Sequence, residues 1–271
     1  MENRAGVPLS LGLHSPKLDA VGALKTNAGR AEQGRFIIEG PTMLEEALRA
    51  GAAIEAVYAT EAGHDRFRGL VAGLRSPIYL VPERALARLS DLETPPGILA
   101  VVPQQKLSPE SVVDGGGPAL LLAGINDPGN AGTLLRSAEI FGVERVLFGD
   151  DGVDPYNPKV VRGSMGAIFR LRFAKIAPDG VAALAQRADY KVVATDPSGD
   201  PLDRFTFEPR SIIAVGNERR GVAGWLPGWD AAVSIPQRGE GQSLNAAIAG
   251  SIILYALMQQ MDKSRKSPEK P

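Results

Sequence analysis

ALLLAGINDPGNAGTLLRSAEIFG, residues 119–142, decides the fold. Ala119 to Ala123 is a continuous apolar run, the pattern of a strand buried on both faces, and such strands belong to parallel sheets covered by helices. A polar, glycine-bearing loop follows. The spacing then predicts a helix from Asn130 to Phe141, with Asn130 as its cap and Gly142 as its stop. Arg136 falls six residues after Asn130, under two helical turns away. It sits between apolar Leu134-Leu135 and Ala138, which points it towards the sheet edge. The alternation continues downstream. Strands are predicted at 145–148, 169–173, 191–195, 211–215 and 231–235, and helices near 157–166 and 179–188. A closing helix runs from about Ser243 to Met261, with Gln242 or Ser243 near its cap and small residues Ala246, Ala247, Ala249 and Gly250 for close packing. Parallel strands joined by helices put ligand sites at the strand C-terminal ends, so chemistry is sought in the loops that follow them.

The N-terminal half also alternates. A helix opens at Ser15-Pro16 with Leu18, Val21 and Leu24 on one face. Arg35 to Glu39 is a strand, Thr42 to Ala50 a helix stopped by Gly51, and Ile54 to Ala59 a strand. A helix near 64–74, a strand at 78–81, a helix near 83–90 and a strand at 97–102 complete a small α/β domain. Between the halves, PQQKLSPESVVDGGGP (103–118) is rich in Pro, Gly and Ser. The expected layout is a leader at 1–15, a first domain at 16–103, a linker at 104–117, a second domain at 118–262 and a disordered tail at 263–271.

Composition narrows the chemistry. The chain has 271 residues, and ~150 residues per domain gives about two domains. It has no cysteine, which removes disulfides, thiolate nucleophiles and Cys metal sites. Its two histidines, His14 and His64, are far apart, which argues against a metal centre or a Ser-His-Asp triad. Every long apolar run is interrupted and no signal peptide stands at the start, so the expected compartment is the cytoplasm. With 30 Lys+Arg against 31 Asp+Glu, the net charge of -1 gives no hint of nucleic acid. Neither a P-loop nor a G-x-G-x-x-G after a strand occurs.

Three loops carry the chemical signal: Asn126-Asp-Pro-Gly-Asn-Ala-Gly-Thr-Leu-Leu-Arg136, Gly216-Asn-Glu-Arg-Arg-Gly221, and Ile235-Pro-Gln-Arg-Gly-Glu-Gly-Gln-Ser-Leu-Asn245. Taken singly, the first reads better as a solvated helix with an ordinary cap and a surface Arg, and the other two also read as a polar turn and a plain strand-loop-helix connection. Together they follow three strands of one domain and supply no nucleophile with a histidine base, which favours positioning a reactive ligand over covalent catalysis.

In order and spacing these loops resemble the three motifs of the SpoU (TrmH) family of RNA ribose 2′-O-methyltransferases in the SPOUT superfamily. Lys17 to Gly40 resembles the small L30e-like RNA-binding domain that precedes many such catalytic domains. The resemblance implies S-adenosylmethionine as donor, an RNA ribose 2′-hydroxyl as acceptor, a C-terminal deep trefoil knot and a homodimer formed through the catalytic domain. It implies no metal and no membrane. The implied fold is α/β: an L30e-like domain plus a mostly parallel-sheet SPOUT domain. By resemblance, Asn130, Arg136, Glu218, Ser243 and Asn245 are the candidate catalytic residues. Thr195, Gly216, Asn217, Glu218, Gly221, Ile235, Pro236, Leu244 and Asn245 are the candidate donor-binding residues. A guanidinium rarely gives up its proton, so Arg136 is read as orienting the hydroxyl and offsetting charge. Gln237 stands where the family commonly has an apolar residue.

Charge distribution revises the average. From Pro155 to Pro178 stand five cations, Lys159, Arg162, Arg170, Arg172 and Lys175, and no carboxylate. Arg162, Ser164, Arg136 and the N-terminal Lys25, Arg30 and Arg35 are the candidate RNA contacts, and Arg219, Arg220 and Arg238 lie in the motif loops. The expected RNA is rRNA. The alternatives are the same chemistry on tRNA, a non-catalytic RNA- or ribosome-binding protein, and an α/β enzyme with another nucleotide ligand.

Overall fold

A computed structural model describes residues 8–239 and 243–266, with side chains through residue 263. Residues 1–7 of the expected leader, Glu240 to Gln242 of the third loop (candidate cap Gln242 included) and the tail beyond 266 lie outside the described residues.

The chain forms two compact units. The first comprises the described residues up to Gln105 together with Tyr156–Phe169; the second comprises Lys106–Pro155 and the residues from Arg170 on. In chain order the first unit carries β1 (Leu9–Ser10), α1 (Pro16–Ala23), α2 (Asn27–Gln33), β2 (Arg35–Glu39), α3 (Gly40–Arg49), β3 (Ala56–Ala59), α4 (Glu61–Arg66), α5 (Arg68–Val71), β4 (Ile78–Leu80), α6 (Glu83–Leu89) and β5 (Ile98–Pro103). The second begins with α7 (Pro109–Val113), β6 (Ala119–Ala123), α8 (Pro128–Ile140) and β7 (Arg145–Gly149). The following α9 (Pro158–Gly163) and a 3-10 turn at Ala167–Phe169 belong to the first unit. The second then continues with β8 (Arg172–Ile176), α10 (Pro178–Ala188), β9 (Lys191–Pro201), β10 (Ser211–Gly216), β11 (Ala231–Ser234) and α11 (Ala246–Lys266).

The first unit is a mixed sheet in the order β1-β4-β3-β5-β2. Leu18, Val21, Leu24, Leu86 and Leu89 from α1 and α6 pack with Ile37, Tyr58, Leu99 and Val101 of the sheet. Phe36 of β2 meets Tyr156 and Phe169, with ring centroids 4.7 and 6.4 Å away. This aromatic contact is why the segment 156–169 groups with the first unit, although the strand-and-helix alternation places it in the second.

The second unit is a six-stranded sheet in the order β11-β9-β10-β6-β7-β8, parallel throughout. The order reverses at β6: β7 and β8 lie to one side, β10, β9 and β11 to the other. Every residue of β6 is buried, as the apolar run requires. Leu121, Ala123, Leu147, Ile212 and Ala214 face Val112, Val113, Val181 and Leu184 of α7 and α10. On the other face α11 lies against α8 and β10, so closely that a Cβ on Gly250 would sit 2.5 Å from Leu134 and 3.0 Å from Val215.

Four expectations need correction. The 104–117 stretch is not merely a linker: Val112 and Val113 are 0% and 2% exposed and anchor α7 in the second core. Residues 169–173 are not one strand; the chain makes a 3-10 turn first and β8 starts at Arg172. The cap of α8 is Asp127, not Asn130, because Asp127 accepts the Asn130 N–H at 2.7 Å and Pro128 fills the first turn. The cap of α11 is Asn245, whose Oδ1 accepts from the N–H groups of Ala247 (2.9 Å) and Ile248 (3.2 Å).

Candidate active site

Because all six strands run parallel, the loops after β6, β7, β10 and β11 open at one edge of the sheet. Register places Gly216, the end of β10, beside Ala123, the end of β6. The first and second loops therefore start next to each other at the point where strand order reverses. Between them is a cleft of about 510 Å³ that reaches from Asn126 and Asp127 to Asn217, Glu218, Arg219 and Arg220.

The second loop is shaped by its glycines. It folds back on itself through an Asn217–Gly221 bridge, with the Gly221 N–H donating to the Asn217 carbonyl at 2.8 Å. A Cβ on Gly216 would lie 2.2 Å from backbone atoms of Gly221 and Val222, so no side chain fits there. Gly221 has φ +62, a backbone region that glycine enters freely. Asn217 ties the loop to the first one, its Nδ2 donating to the Gly124 carbonyl at 3.2 Å.

Three polar side chains from three loops are joined in series. Asn130 donates from Nδ2 to Glu218 Oε1. Asn245 donates from Nδ2 to Asn130 Oδ1 at 2.9 Å, while its own Oδ1 caps α11. Asn130 is half-buried; Glu218 and Asn245 are exposed. The candidate catalytic residues Asn130, Glu218 and Asn245 are thus one connected group.

The other candidates fall around it. Thr195, half-buried, stands where β9 leaves regular pairing: Ala232 of β11 pairs with Ala194, but the next residue, Val233, pairs with Asp200. The excursion between them is closed by Asp196 Oδ1, which accepts from Ser198 N and Oγ at 2.9 and 2.6 Å. These bonds hold the Asp196 carboxyl below the usual carboxylate range. Ile235 is half-buried and Pro236, Ser243 and Leu244 are exposed after β11. Gly216 ends β10, Ile235 follows β11, and Thr195 lies within β9 directly after Ala194, the last residue of β9 that pairs with β10. Arg136 is exposed on α8, and its guanidinium makes no hydrogen bond or ion pair among the described residues.

Several expected RNA contacts are occupied within the first unit. Arg30 is 3% exposed and donates to the carbonyls of Leu24 and Lys25 at 3.0 Å, so it closes the α1–α2 turn instead of facing RNA. Ser164 is fully buried and its hydroxyl donates to the Val161 carbonyl at 2.7 Å, which removes it as a contact. Arg162 lies 3.8 Å from Glu39 and 3.5 Å from Asp91. Arg35 pairs with Glu55 at 3.1 Å, and Lys25 donates to the carbonyl of Ser90 at 2.8 Å.

The sequence reading missed the cleft residues Asp151 and Trp225, which lie outside the three motif loops, and gave Asn126 no role within the first. Asp151 follows β7 at the same edge as the three loops, and that position was the available signal. Among the described residues, no cluster of three or more His, Asp or Glu is placed to hold a metal ion, and no helix is long and apolar enough to cross a membrane.

A parallel α/β sheet with polar loops converging on a strand-order switch defines a ligand-binding α/β domain of the doubly wound kind. Residues 118–255 match the SpoU rRNA methylase family, and residues 15–100 match the MRM3-like substrate binding domain. The chain belongs to the SpoU rRNA methylase family, as the three loops implied. It is 30% identical over 241 residues to the Bacillus subtilis (strain 168) 23S rRNA (guanosine(2553)-2'-O)-methyltransferase RlmP, covering 86% of this chain and 92% of the relative. It is 29% identical over 254 residues to the Streptomyces viridochromogenes 23S rRNA (uridine(2479)-2'-O)-methyltransferase, covering 87% of this chain and 86% of that one. The crystal structure of the SpoU methyltransferase AviRb from Streptomyces viridochromogenes, in complex with the cofactor AdoMet, is similar with a TM-score of 0.83 at 27% identity, covering 92% of this chain and 99% of that chain.

The Asn245 cap generates a stability prediction. Asn245→Ala lowers the unfolding free energy by about 1 kcal/mol, measured by urea unfolding, because two helix N–H groups lose their acceptor. Asn245→Ser recovers part of that loss, since its hydroxyl oxygen still accepts at the first turn of the helix.

Proposed function

We propose that this protein is an S-adenosylmethionine-dependent RNA methyltransferase that methylates a ribose 2′-hydroxyl of rRNA. The observation that carries the reading is the joined Glu218, Asn130 and Asn245 at the strand-end cleft of a SpoU-family chain. The names of the full-length relatives support rRNA over tRNA, and the substrate-binding match at residues 15–100 supports an RNA-holding first unit.

The residues present fit the donor. Gly221 has nothing within 4 Å of where a Cβ would stand, so it leaves backbone open on the cleft wall after β10. Thr195, Gly216, Asn217, Ile235, Pro236 and Leu244 would hold the donor along the edge of β9, β10 and β11. When bound, it supplies an activated sulfonium methyl group. The protein's task is then alignment, which lowers a barrier by roughly 7–11 kcal/mol where reacting atoms are well oriented. Three carboxylates line the cleft. Asp127 caps α8 and Asp151 accepts from the Trp225 indole. That leaves Glu218 to accept the hydroxyl proton, with Asn130 holding its carboxylate in place. The Arg136 guanidinium offsets the negative charge developing on the oxygen.

The same reading includes a homodimer. Leu244, Ile248, Ile252 and Tyr255 are 38–52% exposed and recur every three or four residues, so they form one apolar stripe beside and along α11. Ile140 of α8 is 60% exposed next to it, since Phe141 and Tyr255 have ring centroids 5.6 Å apart. A second copy of the chain is the occupant that accounts for Arg136, which lies one helical turn from Ile140 on the same outward face of α8. There it reaches across the stripe to the other copy's cleft. The trefoil knot belongs to this proposal too; the return of α11 from the sheet edge at β11 to the central strand β10 supports it.

Three outcomes test this reading. Calorimetry with S-adenosylmethionine shows saturable binding; absence of binding at millimolar donor, with the protein folded, overturns it. Arg136→Ala lowers methyl transfer to an unmodified rRNA transcript by about 100-fold or more while donor affinity is kept. Replacing Ile248 and Tyr255 together by Asp converts a dimer to a monomer in sedimentation, and methyl transfer falls with it.

A further inference from the structure

Trp225 forms part of the wall of the cleft that also holds Glu218, and the fold has been shaped to seat it. Its ring lies over the ends of two neighbouring strands. A Cβ on Gly124 would come 2.8 Å from Trp225 Cδ1, and a Cβ on Gly149 would come 2.8 Å from Cζ2. Only glycine at both positions lets the indole lie this close to the strand ends. The ring is also pinned in rotation, because Nε1–H donates to Asp151 Oδ1 at 2.5 Å. Trp225 is half-buried, packed on the core along part of its surface and open to the cleft along the rest.

The rest of the lining has the composition of a nucleotide site. Asn126 uses Nδ2 on the Gly124 carbonyl at 3.2 Å, and its Oδ1 accepts nothing among the described residues. Arg219 and Arg220 are exposed at the rim, and their guanidinium groups form no ion pair among the described residues. A fixed aromatic face, an amide with acceptor capacity and two cations match the base, the polar base edge and the phosphate of a single-stranded nucleotide. A volume of about 510 Å³ is in the range of small-ligand sites.

We propose that this cleft is a nucleobase subsite in which a base of the unpaired RNA stacks on Trp225, Asn126 hydrogen-bonds the base edge, and Arg219 and Arg220 hold the adjoining phosphate. The inference rests on the methyltransferase reading and adds to it a residue that selects unpaired RNA. Trp225 touches substrate but takes no part in the methyl or proton transfer.

The chain has two tryptophans, Trp225 and Trp229, so Trp229→Phe leaves Trp225 as the sole indole fluorophore. In that variant the four ribonucleoside 5′-monophosphates quench the emission saturably, and ribose 5-phosphate at the same concentration does not. Equal quenching by ribose 5-phosphate, or no quenching by any nucleotide, overturns the proposal. In the full chain, Trp225→Leu raises KM for an unmodified rRNA transcript about ten-fold or more, with kcat and S-adenosylmethionine affinity within two-fold of wild type. Trp225→Phe recovers part of the loss, since it restores a ring. Unchanged KM in a folded Trp225→Leu variant that still transfers methyl sinks the base subsite and leaves the methyltransferase reading standing. A wild-type protein that binds nucleotides at Trp225 but transfers no methyl does the reverse.

Discussion

The serial contact from Glu218 through Asn130 to Asn245 is the constraint on which the site depends. Its members are 88 and 115 residues apart in sequence, so only the completed second unit brings them together. An asparagine is the suitable middle member. Its amide must give a hydrogen to a carboxylate on one side and receive one from an amide on the other, and Asn130 does both at once. The amide orientation is thereby fixed, and with it the position of the Glu218 carboxylate at the mouth of the cleft. Asn245 extends the same constraint into secondary structure. Its carbonyl oxygen is spent on the first turn of α11, so the helix can be well started only when the side chain also points its amide at Asn130.

The sheet makes that contact possible. Reversal of strand order at β6 puts the loops after β6 and β10 side by side, and a β6 with no polar position allows helices on both faces. α8 and α11 then pack closely enough that Ser137 and Ser251 share a hydrogen bond at 2.7 Å. Both helices begin at the site, and their first turns carry Asn130 and Asn245. Close packing of the two helices and registration of the two asparagines are therefore one requirement.

Much of this was legible in the sequence because it is local. The apolar run at Ala119–Ala123 announces a doubly buried strand, and Gly216 and Gly221 flank a polar turn directly after another. The order of the three motif loops adds the family. The caps were misplaced by one turn or less because Asp127, Asn130, Ser243 and Asn245 all have the chemistry of a cap, and only the backbone path selects among them. α7 was missed because its apolar content is two valines inside a Pro- and Gly-rich stretch, and their burial depends on α10 and β8 far downstream. Trp225 was passed over because a lone tryptophan in a loop carries no periodicity; the glycines that seat it, Gly124 and Gly149, come from two other strand ends.

Charge was the least legible property, and the reason is physical. A basic side chain is available to RNA only if the fold brings it no carboxylate or carbonyl. Arg30, Arg35 and Arg162 count as cations in the sequence, yet Arg30 is spent on backbone carbonyls, Arg35 on Glu55, and Arg162 lies against Glu39 and Asp91. Arg219 and Arg220 count the same and are left exposed at the cleft, and Arg136 is left exposed on α8. A net charge of -1 therefore says little about nucleic-acid binding, since pairing cancels charges locally before any sum is taken. Arg219 and Arg220 stand in the cleft where the nearby carboxylates Asp127 and Asp151 are already engaged by Asn130 and Trp225. The polar groups of the cleft are thus divided by their partners: those that hold the site's shape are paired with each other, and those that remain are the ones a phosphate and a ribose hydroxyl can reach.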